Sequence, residues 1–157
     1  MHPELEQFLT NDLKIISIGY QQINIANSST FAEFQEGYRL NSKQKKSFVG
    51  KKPGDWKKSW YVVASVEGDP IFFDEEDLSV YTAMHGEGSW DEENVCTSLG
   101  ALKTLLIELK KISINRESPV ALERNPIEKR ELAQYFSMVS QKSDNRLFWA
   151  LFVERFE

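Results

Sequence analysis

A chain of 157 residues, 41% apolar and 12% aromatic, has enough core material for one compact domain and little for two, and is too apolar for intrinsic disorder. No apolar run approaches the roughly 20 residues that span a bilayer, and a formal net charge of −5 disfavours nonspecific binding to nucleic acid. The lone Cys96 has no partner for an internal disulfide, and the opening MHPELEQFLTNDLK lacks the basic-then-apolar pattern of a secretion signal. A reducing, cytoplasmic setting is the expectation.

From the N-terminus, His2 to Thr10 reads as a short helix with Leu5, Phe8 and Leu9 on one face. Leu13 to Ile18 and Gln21 to Ala26 read as strands, with Gly19 as the turn or bulge between them. Phe31 to Leu40 stays open: Phe31, Phe34 and Tyr38 fit helix spacing, yet Gly37 interrupts it. Residues 41–54, rich in Lys, Ser and Gly, read as a mobile surface loop.

A meander follows. Trp60 to Val66 is a near-continuous apolar strand, and Gly68-Asp69-Pro70 supplies the turn. Ile71 to Phe73 returns, Asp74 to Asp77 forms an acidic turn, and Leu78 to Ala83 makes a third strand. Pro70 has no N–H to donate, which puts it at a strand beginning. Ser98, with Thr97 as the alternative, caps a helix in which Leu99, Leu102, Leu105, Leu106, Leu109 and Ile112 recur at spacings of three and four. Ile114 to Glu123 reads as a connector around Pro119. Asn125-Pro126-Ile127-Glu128 starts a helix that runs to about Ser140. Asn145 to Glu157 suits a helix or a buried strand. Helix is chosen because Leu147, Leu151 and Phe156 then leave Glu154 and Arg155 exposed, giving C-terminal helices across 125–157. The fold class expected is α+β, one domain over 1–157, with a mostly antiparallel sheet of about four to six strands and packed helices.

Charge is segregated along the chain. Lys43, Lys45, Lys46, Lys51, Lys52, Lys57 and Lys58 crowd one stretch with Asp55 alone among them, while Glu67 to Glu93 holds ten carboxylates and no Lys or Arg. Opposed patches of this kind steer partners, although turns and loops also carry such charge as mere solvation. Two acidic groups stand out as candidate partner contacts: Asp74, Glu75, Glu76 and Asp77, and Asp91, Glu92 and Glu93. Trp56, set among lysines, is the tryptophan expected to be exposed and the candidate aromatic anchor. Trp60 and Trp90 read instead as caps on the ends of the sheet.

Catalytic patterns are missing. There is no P-loop and no GxSxG elbow. Cys96 and His85 lack an orienting third group. Two histidines and one cysteine do not make a structural zinc set, and Asp74-Glu75-Glu76-Asp77 lacks the spacing of a calcium loop. A paired-carboxylate glycosidase would need a geometry that the abundance of acids does not establish. No catalytic residue, cofactor or metal is assigned.

The ordered series Trp60, apolar strand, Gly68-Asp69-Pro70, Phe72, Asp74, Val80-Tyr81, His85, Trp90 and Ser98-Leu99 with its leucine-rich helix resembles the SUKH superfamily over residues 56–112. That group contains the Smi/Knr-type regulators of fungal wall synthesis and many bacterial immunity proteins. The resemblance implies an antiparallel α+β fold that binds a protein partner, commonly a polymorphic toxin neutralised by occlusion. It makes Trp60, Gly68, Asp69, Pro70, Trp90 and Ser98 motif positions of structural rather than catalytic weight. The acid-rich stretch would then meet a basic, nuclease-type toxin. The alternative is a regulatory or scaffold module of the same fold, using the basic Lys43 to Lys58 stretch on an acidic partner.

Overall fold

The structure, a computed structural model, describes residues 1–154; Arg155, Phe156 and Glu157, and with them part of the expected last helix, lie outside the described residues. Six strands build one antiparallel sheet: β1 (Ile15–Ile18), β2 (Gln21–Ile25), β5 (Trp60–Val66), β6 (Asp69–Asp74), β7 (Val80–Thr82) and β8 (Glu93–Cys96), adjacent in that order. A two-stranded hairpin, β3 (Leu40–Asn41) with β4 (Lys46–Ser47), stands apart. The helices are α1 (Pro3–Phe8), α2 (Phe31–Phe34), α3 (Leu99–Ser113), α4 (Pro119–Arg124), α5 (Lys129–Lys142) and α6 (Arg146–Ala150). The expected α+β class and antiparallel sheet hold.

Both faces of the sheet are covered, so β5 and β6 read as continuous apolar runs rather than alternating ones. Ile16, Ile23, Ile25, Ile71, Phe73, Val80 and Val95 face the main core beneath α3, α5 and α6. Phe72 and Val62 point the other way, into a smaller core with Trp56, Trp60 and Ala83. A bulge between Val62 and Ala64 lets Val63 and Ala64 both join the main core, an irregularity an alternating pattern does not foresee. β2 pairs β5 only at Ala64 and Ser65. Beyond that point the side chain of Gln35 stands in for the missing strand: its Oε1 accepts from Val62 N at 2.9 Å and its Nε2 donates to Val62 O at 2.8 Å.

α3 forms as its spacing predicts. Ser98 Oγ accepts from Ala101 N at 3.0 Å, and all six apolar residues of the stripe are buried, each contributing roughly 1.5–3 kcal/mol. Lys110 and Lys111 sit in its last turn, against the negative pole of the helix.

Several expectations need correcting. The 114–123 connector contains α4, started by Ser118 Oγ accepting from Ala121 N with Pro119 at the first helical position. α5 begins at Lys129, where Glu128 and Glu131 form a capping box, rather than at an Asn125 cap. β8 was not foreseen. Its outer edge is closed by side chains: Ser143 Oγ and Trp149 Nε1 both donate to Val95 O, at 2.6 and 2.7 Å, and Asn145 Nδ2 donates to Asn94 O. Among the described residues of the last segment, Arg146 to Ala150 are helical, and the apolar face is reversed. Trp149, Ala150, Phe152 and Val153 are buried while Leu147 and Leu151 are exposed. Residues 41–54 are mostly exposed, yet carry the β3–β4 hairpin, and Val49 bridges back to Trp56.

Candidate partner-binding site

Strand direction decides where the acidic stretch goes. β5 and β7 end, and β6 and β8 begin, at one end of the sheet; the β6–β7 turn lies at the opposite end. Asp74 to Asp77 therefore lie at the opposite end of the β6 and β7 strands from Asp91 and Glu93, while Glu92 reaches Lys57, two residues before the Ser59 whose carbonyl accepts from Glu75 N. The structure does not bring the two acidic groups together.

The Asp74–Asp77 group is largely a turn device. Asp74 is buried and its Oδ1 accepts from Glu76 N at 2.9 Å, while Asp77 Oδ1 accepts from Ser79 N and its Oδ2 accepts from Tyr81 Oη. Desolvation, reinforced by that carboxylate, pushes the Tyr81 phenol up to about 12. Of the four, Glu76 is exposed with its carboxylate not engaged by the turn, Asp77 is exposed but occupied by Ser79 and Tyr81, and Glu75 is half-buried.

The other end is concave. On the helix-facing side, the outermost positions of the central and right-hand strands are Gln21, Val66, Asp69, Thr82 and Glu93, and α6 with its following turn lays Phe148, Leu151 and Phe152 opposite them. Between them opens a cleft of about 530 Å³. The 83–93 loop closes its rim with Met84, Glu87, Ser89 and Asp91. The lining is thus mixed, apolar side chains sharing it with four carboxylates: Asp69, Glu87, Asp91 and Glu93. Asp69 Oδ1 accepts from His85 N and meets His85 Nδ1 at 2.6 Å; Glu93 Oε1 accepts from Asn145 Nδ2. Among the described residues no Lys or Arg forms an ion pair with any of the four.

Sequence reasoning singled out Asp91 and Glu93 here and missed Glu87, Phe148, Leu151 and Phe152. Asp69 was read only as a turn residue. A second cleft of about 480 Å³ continues the first across Gln21, Leu151 and Phe152 to the β1–β2 turn, where Tyr20 is 86% exposed. The turn is held close: a Cβ on Gly19, at φ +59°, would stand 2.7 Å from Leu122 Cδ2.

The motif positions find physical explanations. Gly68 has φ +87° and a Cβ there would lie 3.0 Å from the His85 ring, so Gly68 makes room for the imidazole that Asp69 grips. Tyr38 Oη donates to Gly68 O at 2.6 Å. Pro70 stands one residue beyond the β7 ladder, with Thr82 Oγ1 donating to its carbonyl. Trp60 is buried, its ring tilted against that of Phe72 with centres 4.5 Å apart; Trp90 is half-buried beside Trp56 and Tyr38.

Trp56 is not exposed. It is 1% accessible, its Nε1 donates to Trp60 O at 3.1 Å, and its ring touches Trp60, Phe72 and Trp90. The lysines around it face water because the chain folds back over the second face of the sheet, which needs an aromatic cover. Trp56 anchors the basic excursion rather than a partner. That excursion touches the acidic loop directly: Trp90 N donates to Gly54 O at 2.8 Å, and Lys57 Nζ lies 3.8 Å from Glu92.

Comparison with family models, curated proteins and solved structures returned no match. Function rests on the geometry. Cys96 is buried and desolvation pushes its thiol up to about 12, the reverse of an activated nucleophile. Among the described residues no cluster of three or more His, Cys, Asp or Glu is placed to hold a metal ion, and no helix is long and apolar enough to cross a membrane.

Proposed function

We propose that this chain is a protein-binding module of the SUKH immunity kind, acting in the cytoplasm, which neutralises a basic toxin domain by covering it. The observation that carries the reading is the cleft beneath α6, whose lining combines carboxylates from three separate segments with apolar side chains. Such a surface attracts a cationic partner from a distance and then offers it apolar contact area. It repels nucleic acid, whose phosphates would meet four carboxylates. The role is binding rather than catalysis.

The test is association with a purified basic toxin domain, measured at low and moderate salt. Glu87→Lys with Asp91→Lys should slow association at least about tenfold and flatten its salt dependence, since rim charges act chiefly on encounter. Glu75→Lys with Glu76→Lys, at the far end of the sheet, should leave the rate within about twofold. Equal effects from the two pairs would refute the assignment of the cleft. The regulatory alternative draws on a different observation, the exposed lysines of the 43–58 excursion held in place by Trp56. It predicts an acidic partner whose binding is lost on Lys51→Glu with Lys52→Glu.

A further inference from the structure

Resting on that reading and deepening it, we infer that the cleft beneath α6 seats an arginine side chain presented by the partner on an extended segment. Shape and charge select it together. The cleft is lined by Glu87, Asp91 and Glu93, on the loop after β7 and the start of β8, together with Asp69 on β6. Four carboxylates spread over one lining favour a planar guanidinium, whose five N–H groups point to acceptors in several directions, over the single point of a lysine ammonium. Phe148 and Phe152 on the same lining offer aromatic surface to the guanidinium plane and to the aliphatic stem. The protein packs its own guanidinium groups in this way: Arg146 lies 4.0 Å from the Phe136 ring centre and Arg39 lies 4.2 Å from that of Tyr61. A volume of about 530 Å³ exceeds one side chain, and the groove runs on past Leu151 to Tyr20. The occupant is therefore a stretch of chain with apolar residues beside the arginine.

The test uses the full chain and blocked tripeptides, with amide chemical shifts as the readout. N-acetyl-Leu-Arg-Leu-amide is titrated to about 10 mM, because so small a ligand binds in the millimolar range. The same peptide with neutral, nearly isosteric citrulline serves as the control. Saturable shifts at Thr82, Met84 and Phe148, with citrulline at least about tenfold weaker, are expected. Glu87→Gln and Asp91→Asn, which remove charge without touching any hydrogen bond described above, should each weaken the arginine peptide about three- to tenfold. Equal binding of arginine and citrulline, shifts at Glu75 to Asp77 instead, or no shifts at all would overturn the inference. Binding that appears only in Arg155→Ala would also overturn it, by giving the cleft to the chain's own arginine. None of these failures touches the toxin reading, which is judged by the rim charge reversals; a toxin that docks across the rim without filling the cleft would pass that test and fail this one.

Discussion

The closed edge of β8 makes a quantitative prediction through a double-mutant cycle. The Val95 carbonyl accepts two hydrogen bonds, from Ser143 Oγ at 2.6 Å and from Trp149 Nε1 at 2.7 Å. Ser143→Ala leaves the Trp149 bond in place and should cost about 1–2 kcal/mol, a little of it from the lost Asn145 N–H to Ser143 Oγ bond. Trp149→Phe leaves the serine bond and should cost about 2–3 kcal/mol, because a fully buried ring also shrinks. The double variant strips the carbonyl of both donors inside the core. An orphaned buried acceptor costs about 1–3 kcal/mol, so the pair should lose about 1–2 kcal/mol beyond the sum of the singles. Urea unfolding followed by far-ultraviolet circular dichroism reads this directly: with a slope of about 2 kcal/mol/M, each single should move the midpoint by about 0.5–1.5 M. A double variant equal to the sum within about 0.3 kcal/mol would show the two bonds acting independently, and the account of this edge would be wrong.

Other outcomes are equally specific. Trp56→Ala should destabilise by about 3–5 kcal/mol in the same urea assay, as a core aromatic does, where an exposed tryptophan would cost under about 0.5 kcal/mol. Gln35→Met keeps the bulk but leaves both backbone groups of Val62 without partners, and should cost about 2–4 kcal/mol; a loss under about 0.5 kcal/mol would refute the strand-surrogate role. With the Cys96 thiol at about 12 against an ordinary 9, its thiolate fraction at pH 8 is about a thousandfold lower than that of a free thiol, and modification by a disulfide reagent should wait on unfolding. Because this folded value is raised, its contribution to stability is complete below pH 9 and is lost as pH rises toward 12; rapid labelling at pH 8 in the native protein would contradict the burial.

How much of this was legible depends on whether the signal was local. α3 and the β5–β6 hairpin declare themselves, since six apolar residues at helical spacing and a glycine turn after an apolar run are contained within a few residues of each other. α4 was equally local, and the Ser118-Pro119 pair that starts it was there to be read. β8 was not: Glu93 to Cys96 is four residues long, and what holds it is supplied by β7 and by Ser143, Asn145 and Trp149, some fifty residues on. Trp56 misled for the same reason. Its neighbours are charged, and only the uncovered second face of the sheet explains its burial. In the candidate site, Asp91 and Glu93 could be named from charge density alone. The cleft that gives them meaning needs the reversed face of α6, where Phe148 and Phe152 turn inward in place of Leu147.

The four tryptophans divide three to one across the sheet, with Trp56, Trp60 and Trp90 in the smaller core and Trp149 alone in the larger. The molecule thereby carries two optical reporters of separate halves. In a Trp149→Phe background, emission comes only from the side that carries the basic excursion, while the helical signal comes from the other. Local opening of that excursion would register as a red shift in fluorescence with the helices intact, so the cooperativity of the two cores can be followed without any added label.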